Sequence, residues 1–388
     1  MKLIEICDFQ GGSQPPKEEW SFEEKEGYIR MLQIRDFTQS DRVIPEYIKI
    51  SNNTKICEAN DILIARYGAS IGKILTGLAG AYNVALMRTI PDTRKIKKKY
   101  LYYYLKSPYF QNAILNVGSR AAQAGFNKED LSKLDIECPK LSEQENIVSI
   151  LDKVEIIIEK RREELAFLDD LIKARFVEMF GDAVANPMNW PIKELKDLSV
   201  QINSGNTPKG GSENYVEEGI AFFRSQNVWK DCLKMDDIAY IDEETHAKMK
   251  KSSLKQGDIL MTKTGRINTE NSSLGRAALY MGEDDMANVN GHVYFIRLKP
   301  EVNNKFVLRI LVSDEYRDLI RSVCVGGIDK RQLNKEHIED FPIICPPDYM
   351  VDKYVSFVDQ VDKSKVAVQK ALGETQTLFD SLMQEYFG

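Results

Sequence analysis

The chain has 388 residues, a formal net charge of -6 and 43% hydrophobic residues. This length exceeds what a single domain with one hydrophobic core ordinarily has, so we expect two domains. No apolar run is long enough to cross a membrane, and the first residues lack the pattern of a signal peptide, so we expect a cytoplasmic protein. The six cysteines are scattered without a C-x-x-C pair, which favours reduced thiols over disulfides or a zinc site.

Residues 1–140 predict a first mixed α/β domain. Runs rich in Ile, Leu, Val and Tyr predict strands at Tyr28–Ile34, Asp61–Tyr67 and Ala81–Arg88. An amphipathic pattern predicts a short helix at Lys98–Ala113, and a loop follows at Gly118–Gly125.

Residues 141–185 predict a long helix that separates two domains. Its apolar residues recur with a period of about 3.5, which is typical of a coiled coil. The residues of this seam are Ile147, Leu151, Val154, Ile158, Leu165, Leu168 and Ile172. Arg161 and Arg175 interrupt the seam, and Ser142 with Glu145 predicts a capping box at the start of the helix.

Residues 186–345 predict a second mixed domain, and residues 346–388 predict a second long helix. The predicted strands are Ile220–Arg224, Asp258–Lys263 and His292–Leu298, and the predicted short helices are Asn304–Ser313 and Glu315–Ser322. The second seam contains Val358, Val361, Leu372, Phe379 and Leu382. Lys365 and Thr375 are its polar gaps. A narrow apolar stripe favours a partner helix, and the alternative is that each seam packs only on its own domain.

The second half of the chain repeats the first. Cys138–Phe180 aligns with Cys345–Phe387 without a gap. Three polar loops also repeat: Gly11–Pro15 matches Ser204–Pro208, Leu32–Asp36 matches Phe223–Asn227, and Asp61–Gly68 matches Asp258–Gly265. A repeat of this size predicts two copies of one domain, and two copies suit a target with two halves.

Searches for an enzyme site find no complete motif. Gly68–Lys73 resembles a phosphate loop, but it has one residue too few between the glycines and is followed by Ile74 instead of Ser or Thr. Asn186–Asn189 resembles the N-P-P-aromatic motif of adenine methyltransferases without its second proline and aromatic residue, so a domain linker is the favoured interpretation. The histidines show no metal-ligand spacing. We therefore predict no catalytic residue, no metal and no cofactor on this chain.

The repeated polar loops are the candidate binding surface. The net charge argues mildly against a nucleic-acid partner, but basic residues cluster in these glycine-containing loops. Apolar positions are retained between the copies while polar ones differ, as in Arg35 against Gln226, Arg66 against Lys263 and Gln123 against Lys330. Arg and Lys can pair with guanine, and Asn and Gln with adenine. This pattern would let one scaffold read two short DNA sequences, whereas ordinary turns would explain only the glycines.

The predicted DNA-binding residues come from both copies. They are Ser13, Gln14, Arg35, Arg66, Tyr67, Ser70, Lys73, Arg120, Gln123, Asn206, Thr207, Lys209, Arg224, Gln226, Asn227, Lys263, Thr264, Arg266, Lys330 and Arg331. Glycine allows the backbone to approach phosphates, and hydroxyl groups can fix the register there.

The chain also resembles the specificity subunits of type I restriction-modification enzymes. The stretch SGNTPKGG at Ser204–Gly211 is similar to the opening of their target recognition domains. NDILIARYGASIGK at Asn60–Lys73 and GDILMTKTG at Gly257–Gly265 resemble the strand-and-loop signature of those domains. CPKLSEQENIVSILD at Cys138–Asp152 resembles the start of their central conserved helix. The match covers nearly the whole chain.

This resemblance implies an α+β fold with two target recognition domains, separated by two long helices that pack as an antiparallel coiled coil. It implies no catalytic activity on this chain. Each domain would bind one half of a bipartite, asymmetric site in double-stranded DNA, and the helices would fix the gap between the halves. The implied partners are two modification subunits, which methylate adenine with S-adenosylmethionine, and restriction subunits, which use ATP and Mg²⁺.

Two other functions remain open. The chain could be a scaffold or decoy that binds partner proteins without DNA, or the recognition part of a fused methyltransferase or nuclease. A fused enzyme would carry catalytic motifs on the same chain, and none is found in the sequence.

Overall fold

The computed structural model describes residues 1–39, 43–118, 125–267, 269 and 271–388. The chain divides into two compact units. Unit 1 comprises Met1–Glu164 and Val368–Gly388, and unit 2 comprises Leu165–Ala367. Both are mixed α/β, which confirms the predicted class. No helix among the residues described is long and apolar enough to cross a membrane.

Unit 1 is built around two sheets. Its strands are β1 (Cys7–Gly11), β2 (Trp20–Ser21), β3 (Tyr28–Leu32), β4 (Tyr47–Lys49), β5 (Ile56–Cys57), β6 (Leu63–Ala65), β7 (Ile74–Leu75), β8 (Gly80–Tyr82) and β9 (Leu86–Pro91). Its helices are α1 (Ile34–Thr38), α2 (Lys98–Lys106), α3 (Pro108–Gly118), α4 (Lys128–Ser132) and the first part of α5 (Leu141–Phe180). The sheet orders are β1-β9-β6-β7 and β2-β4-β3-β8-β5.

Unit 2 repeats this plan with additional strands. The strands are β10 (Ile192–Glu194), β11 (Ser199–Ser204), β12 (Tyr215–Val216), β13 (Ile220–Phe223), β14 (Ala239–Ile241), β15 (Ile259–Thr262), β16 (Thr264–Arg266), β17 (Ala277–Leu279), β18 (Ala287–Val289), β19 (Val293–Leu298), β20 (Val325–Gly326), β21 (Lys330–Gln332) and β22 (Pro342–Ile344). The helices are the second part of α5, α6 (Leu195–Leu198), α7 (Glu243–Lys248), α8 (Asn304–Leu311), α9 (Asp314–Val323), α10 (Lys335–Glu339) and the first part of α11 (Asp348–Phe387), whose last part belongs to unit 1. The sheet orders are β11-β19-β15-β17, β12-β14-β13-β18, β16-β21-β20 and β10-β22.

Three local predictions need correction. The helix predicted at Lys98–Ala113 is broken into α2 and α3, because Pro108 has no N–H to continue the helix and is favoured at the first helical position. The strand predicted at Ala81–Arg88 is split into β8 and β9 by a turn at Asn83. The capping box predicted at Ser142 is wrong, because α5 begins at Leu141 and the Glu143 carboxylate accepts the Lys140 N–H at 3.1 Å.

The two long helices each contain 40 residues. In unit 1, Leu151 of α5 and Met383 and Phe387 of α11 share one core with side chains of the α/β part. In unit 2, Ile172 and Phe176 of α5 share a core with Tyr354, Val358 and Val361 of α11. Within each unit, residues of the seam therefore share a core with the other helix and with the α/β part, so packing on the unit alone is not the whole arrangement. The coiled-coil geometry stays a prediction.

The polar residues that interrupt the seams have partners on the opposite helix. In unit 1 the Arg161 guanidinium donates to the Ala371 carbonyl and the Thr375 hydroxyl. In unit 2 the Lys365 ammonium lies 2.6 Å from the Asp169 carboxylate, and the Arg175 guanidinium lies 5.7 Å from the Phe357 ring. Each of these polar seam residues therefore has a polar or aromatic partner inside its own unit.

Candidate nucleic-acid interface

The polar loops of unit 1 lie together at one end of its sheets. Strand β9 runs antiparallel to β1 and β6, so the ends of β1 and β6 lie beside the start of β9. The Gly12 N–H bonds the Leu86 carbonyl at 3.1 Å, and the Arg66 N–H bonds the Ala85 carbonyl at 2.9 Å. Strands β3 and β8 run parallel, and the Asn83 N–H bonds the Leu32 carbonyl at 3.1 Å. We call this place the loop end of unit 1.

Unit 2 forms the same arrangement from different residues. Strand β19 runs antiparallel to β11 and β15, and β13 runs parallel to β18. The Gly205 N–H bonds the Val293 carbonyl at 3.0 Å, and the Lys263 N–H bonds the His292 carbonyl at 2.8 Å. The Asn290 N–H bonds the Phe223 carbonyl at 2.9 Å. The loop end of unit 2 therefore brings its three repeated loops together, as in unit 1.

Glycine is required at one position in each loop end. A Cβ atom on Gly12 would collide with the carbonyl oxygens of Tyr82 and Asn83, and one on Gly205 would collide with the Val289 carbonyl. The obstructing atoms are backbone atoms that cannot move aside without distorting the strand ends. The repeated glycine of the sequence motif therefore serves close packing of the loop against the sheet.

The loop end of unit 1 holds Arg66 in place through neutral groups. Its guanidinium donates to the Phe126 carbonyl at 3.3 Å and the Val84 carbonyl at 3.5 Å, and it lies 5.0 Å from the Tyr67 ring. These partners orient the guanidinium without neutralising its charge. Tyr67 is 39% exposed, Ser13 and Ser70 are half-buried, and Gln14 and Lys73 are exposed.

The loop end of unit 2 brings together five predicted residues in and beside a small sheet. Strand β16 pairs with β21, which places Gly265 opposite Arg331 and Arg266 opposite Lys330. Lys263 and Thr264 lie where this sheet begins, and the Lys263 ammonium lies 5.7 Å from the Tyr294 ring. Arg266 also contacts Asp329 at 3.3 Å. Asn206, Thr207 and Lys209 are exposed on the loop after β11.

Asn227 was wrongly predicted as a DNA contact. It is only 1% exposed, and its amide donates to the carbonyls of Lys234 and Asp237 at 3.1 and 3.0 Å. Its side-chain oxygen accepts the Arg224 N–H at 3.0 Å. Asn227 thus closes the turn after β13, and the matching residue Asp36 accepts the Gln33 N–H at 2.9 Å in the same way.

Three other predicted residues are paired with acidic side chains. Arg35 contacts Glu46, and Gln226 donates to Asp237 at 2.6 Å, so matching positions find an acid in both units. Arg224 lies 3.1 Å from Asp237 and is only 18% exposed at its side chain. Hydrogen bonds from Gln226 and Arg224 lower the pKa of Asp237. These contacts hold the loops together, and sequence reasoning missed both acids because they belong to the variable segment after the motif.

Arg276 is one of the basic residues that the sequence clusters in the glycine-containing loops, but it was not included among the predicted DNA-binding residues. The Thr262 N–H bonds the Arg276 carbonyl at 2.9 Å, as the Ala65 N–H bonds the Lys73 carbonyl at 2.9 Å. Ser273–Arg276 therefore occupies the place of Ser70–Lys73, and the signal was the shared Ser-(Ile/Leu)-Gly-(Lys/Arg) pattern. The Arg276 guanidinium lies 4.0 Å from the Trp229 ring, and burial and the charge of Arg317 lower its pKa.

Predicted residues Arg120 and Gln123 lie outside the described residues. Within the described ranges, no group of three or more His, Cys, Asp or Glu side chains could hold a metal ion. The His246 ring contacts the Asn288 amide at 2.5 Å, and the His337 ring accepts the Asn334 N–H at 3.2 Å. These two histidines therefore have structural partners.

Comparisons with known proteins show the family of the chain. The profile of the type I restriction modification DNA specificity domain matches residues 1–166 and 187–375. The chain is 22% identical over 318 residues to the Type I restriction enzyme MjaVIII specificity subunit of Methanocaldococcus jannaschii, covering 78% of this chain and 72% of that protein. It is 22% identical over 416 residues to the MjaIX specificity subunit of the same organism, covering 98% and 90%.

Solved structures show the same fold. The S subunit of the type I restriction-modification system from M. genitalium matches with a TM-score of 0.54 at 15% identity, covering 100% of this chain and 95% of that one. A chain from a solved type I R-M system matches with a TM-score of 0.53 at 16% identity, covering 100% and 96%. The chain therefore belongs to the type I restriction modification DNA specificity domain family and is a DNA sequence-recognition subunit, the specificity subunit, of a type I restriction-modification system.

Proposed function

We propose that each unit reads one half of a bipartite, asymmetric site in double-stranded DNA with its loop end. One observation carries this proposal: the two units place the same loops at the same end of the same sheets but present different polar side chains there. Arg66 stands in one unit where Lys263, followed by Arg266, stands in the other. Two different surfaces on one scaffold are suited to two different half-sites.

The side chains of the loop ends provide the required chemistry. Guanidinium and ammonium groups can pair with phosphates or with guanine O6 and N7, as we assign to Arg66 and Lys263. Hydroxyl and amide groups such as those of Ser13, Asn206 and Thr207 can bond phosphate oxygens and fix the register. Binding of this kind weakens steeply with salt, because each phosphate contact releases counterions.

The long helices would set the gap between the half-sites and bind two modification subunits. A helix rises 1.5 Å per residue, so inserting one turn would lengthen it by about 5.4 Å. In this proposal the chain itself catalyses nothing. S-adenosylmethionine, ATP and Mg²⁺ would bind to the modification and restriction subunits. The six cysteines are free thiols, which is consistent with a reducing cytoplasm.

The test uses the full chain assembled with its modification subunits. Methylated adenines are mapped across a genome for the wild type, Arg66→Ala and Lys263→Ala. We expect Arg66→Ala to weaken binding of the specific duplex about tenfold and to relax one half of the motif, and Lys263→Ala to do the same for the other half.

The controls are basic residues at the opposite end of the same sheets. Arg94 is an exposed residue after β9, and Lys255 is an exposed residue before β15, so alanine at either position should leave the motif unchanged. An unchanged motif and unchanged affinity in both loop-end variants would contradict the assignment. Assembly with the modification subunits but no salt-dependent DNA binding would favour the scaffold alternative.

A further inference from the structure

An exposed isoleucine stands at the tip of the β20–β21 hairpin in unit 2. Ile328 is 90% exposed, more than any other large hydrophobic side chain in the described part of the chain. The hairpin is well defined by its own bonds: Val325 pairs with Gln332, and the Gly327 N–H bonds the Lys330 carbonyl at 3.1 Å. The tip therefore holds an apolar side chain outside the hydrophobic core of unit 2.

Basic side chains surround this tip. Strand β21 carries Lys330 and Arg331, and its neighbour β16 places Arg266 directly opposite Lys330. The Arg331 guanidinium donates to the Gly327 carbonyl at 3.4 Å, so it lies beside the turn. Asp329 is the acid of the turn, and it already contacts Arg266 at 3.3 Å. The three cations exceed this one acid, so the hairpin carries a net positive charge.

We propose that the β20–β21 hairpin enters the major groove of DNA and that Ile328 makes an apolar contact with the base edges there. This inference rests on the proposed function and assigns a base contact to one residue. The major groove admits a two-stranded β-ribbon, and the thymine methyl group is the apolar feature that it displays. The flanking cations would lie near the two phosphate backbones.

The charges around the tip favour DNA over a protein partner. The centres of protein interfaces are depleted of charged residues, and of lysine in particular. Here Ile328 is followed in the sequence by Asp329 and Lys330. Arg266 and Arg331 lie on the paired strands β16 and β21. DNA is a polyanion that displays the thymine methyl group in its major groove. It therefore matches this surface better than an apolar protein pocket does.

The contact would belong to one half-site only. The alignment that pairs Lys330 with Gln123 pairs Ile328 with Ala121, a much smaller side chain that lies outside the described residues. Changes at Ile328 should therefore alter recognition by unit 2 and leave recognition by unit 1 as it is.

The experiment compares three variants of the full chain in complex with its modification subunits. Ile328→Ala removes the apolar contact, Lys330→Ala removes a neighbouring charge, and Val200→Ala is the matched control. Val200 is a 65% exposed apolar residue near the start of β11, at the opposite end of the sheet. Each complex is titrated with a duplex carrying the mapped motif and with a scrambled duplex at several salt concentrations, and its methylated motif is mapped.

We expect Ile328→Ala to weaken specific binding about tenfold and to relax one or two base pairs of one half-site. The salt dependence should stay the same, because an apolar contact releases no counterions. Lys330→Ala should weaken both duplexes and reduce the salt slope by about 1 without changing the motif. Val200→Ala should match the wild type.

Three results would overturn the inference. Unchanged affinity and motif in Ile328→Ala, with weaker binding in Lys330→Ala, would leave the proposed function standing and make the hairpin a purely electrostatic contact. Loss of the modification subunits in Ile328→Ala, with normal DNA binding by the intact complex that remains, would make the tip a protein contact. Unchanged binding in both variants and in Lys263→Ala would instead reject the loop-end assignment itself.

Discussion

The loop ends of the two units differ most just after their central strands. In unit 1 the chain leaves β6 at Arg66, and within the described residues Tyr67 bridges Gly125. In unit 2 the chain leaves β15 at Lys263 and continues as β16, which pairs along its length with β21. Unit 2 also has extra residues between Gly265 and Ser273, while the strands on either side are retained. Loop length can thus vary between two copies of one scaffold, and in unit 2 the longer loop adjoins a small basic sheet.

Mutation should reduce stability most at the two glycines that pack against backbone carbonyls in the shared scaffold. Gly12→Val and Gly205→Val each place side-chain atoms against backbone carbonyls of the adjacent strand end. We expect each change to lower the free energy of unfolding by about 3 kcal/mol, in the range of severe overpacking. Urea denaturation followed by circular dichroism measures this loss.

A control for the glycine pair lies in the same loops. Gly211 has open space around its Cβ position but a φ of 62°, so Gly211→Ala should cost only about 1 kcal/mol from backbone strain. Equal losses in Gly205→Val and Gly211→Ala would show that close packing is not the reason for the repeated glycine.

The buried aspartates of the central strands offer a second comparison. Asp258 in unit 2 bonds the Arg297 guanidinium twice, at 2.9 and 2.7 Å. Asp61 in unit 1 contacts both Arg88 at 2.8 Å and Lys98 at 3.0 Å. Burial alone would raise the pKa of Asp61, but the Glu58 N–H, Lys98 and Arg88 outweigh burial and lower that pKa.

The lowered pKa of Asp61 makes unit 1 sensitive to acid. A carboxyl group with a lowered folded-state pKa stabilises the fold above its unfolded pKa of about 3.9, and that stability is lost as the pH falls through the folded-state pKa. Asp61→Asn should therefore reduce the melting temperature at pH 7, and the gap from the wild type should close below about pH 4. Glu129→Gln, at an exposed acid of the same unit, should lower the melting temperature at pH 7 much less than Asp61→Asn does. A gap that stays constant down to pH 2 would contradict this account.

The smallest effect concerns the long helices. Gly373 of α11 aligns with Ala166 of α5, and apart from its neighbours and the backbone of its own helix no atom of the described residues lies within 4 Å of its Cβ position. Gly373→Ala makes the second copy like the first and removes the entropy cost of glycine in a helix. We expect the free energy of unfolding to rise by about 1 kcal/mol, as measured by urea denaturation. A loss of stability would indicate a contact of this helix face that alanine obstructs.

The sequence predicted the repeated parts of the fold better than the contacts of individual polar side chains. The central strands β6 and β15 and both long helices follow from apolar periodicity, because periodicity reports which side of an element is buried. Pro108 could have revealed the break between α2 and α3. The pairing of β16 with β21 could not be read in this way, because its two strands are far apart in the sequence.

The contacts of the predicted DNA-binding residues likewise could not be read from the sequence. Arg66, Lys263 and Lys330 were selected by residue type and repeat position, and the structure places Lys263 and Lys330 around one small sheet. Asn227 was selected by the same criteria and is buried. Residue type does not reveal whether an amide meets backbone carbonyls of its own turn or faces solvent. Only the fold decides this, since the acceptors come from Lys234 and Asp237 further along the chain.

The discontinuous composition of unit 1 has a consequence for its biosynthesis. Its core includes Leu3, early in the chain, and Phe387, more than 380 residues later, whose ring lies 5.0 Å from that of Tyr100. A ribosome delivers all of unit 2 before it delivers the segment from Val368 onward. The first recognition domain to be translated would thus be the second to complete its core. Part of its apolar surface would stay exposed while the other domain folds.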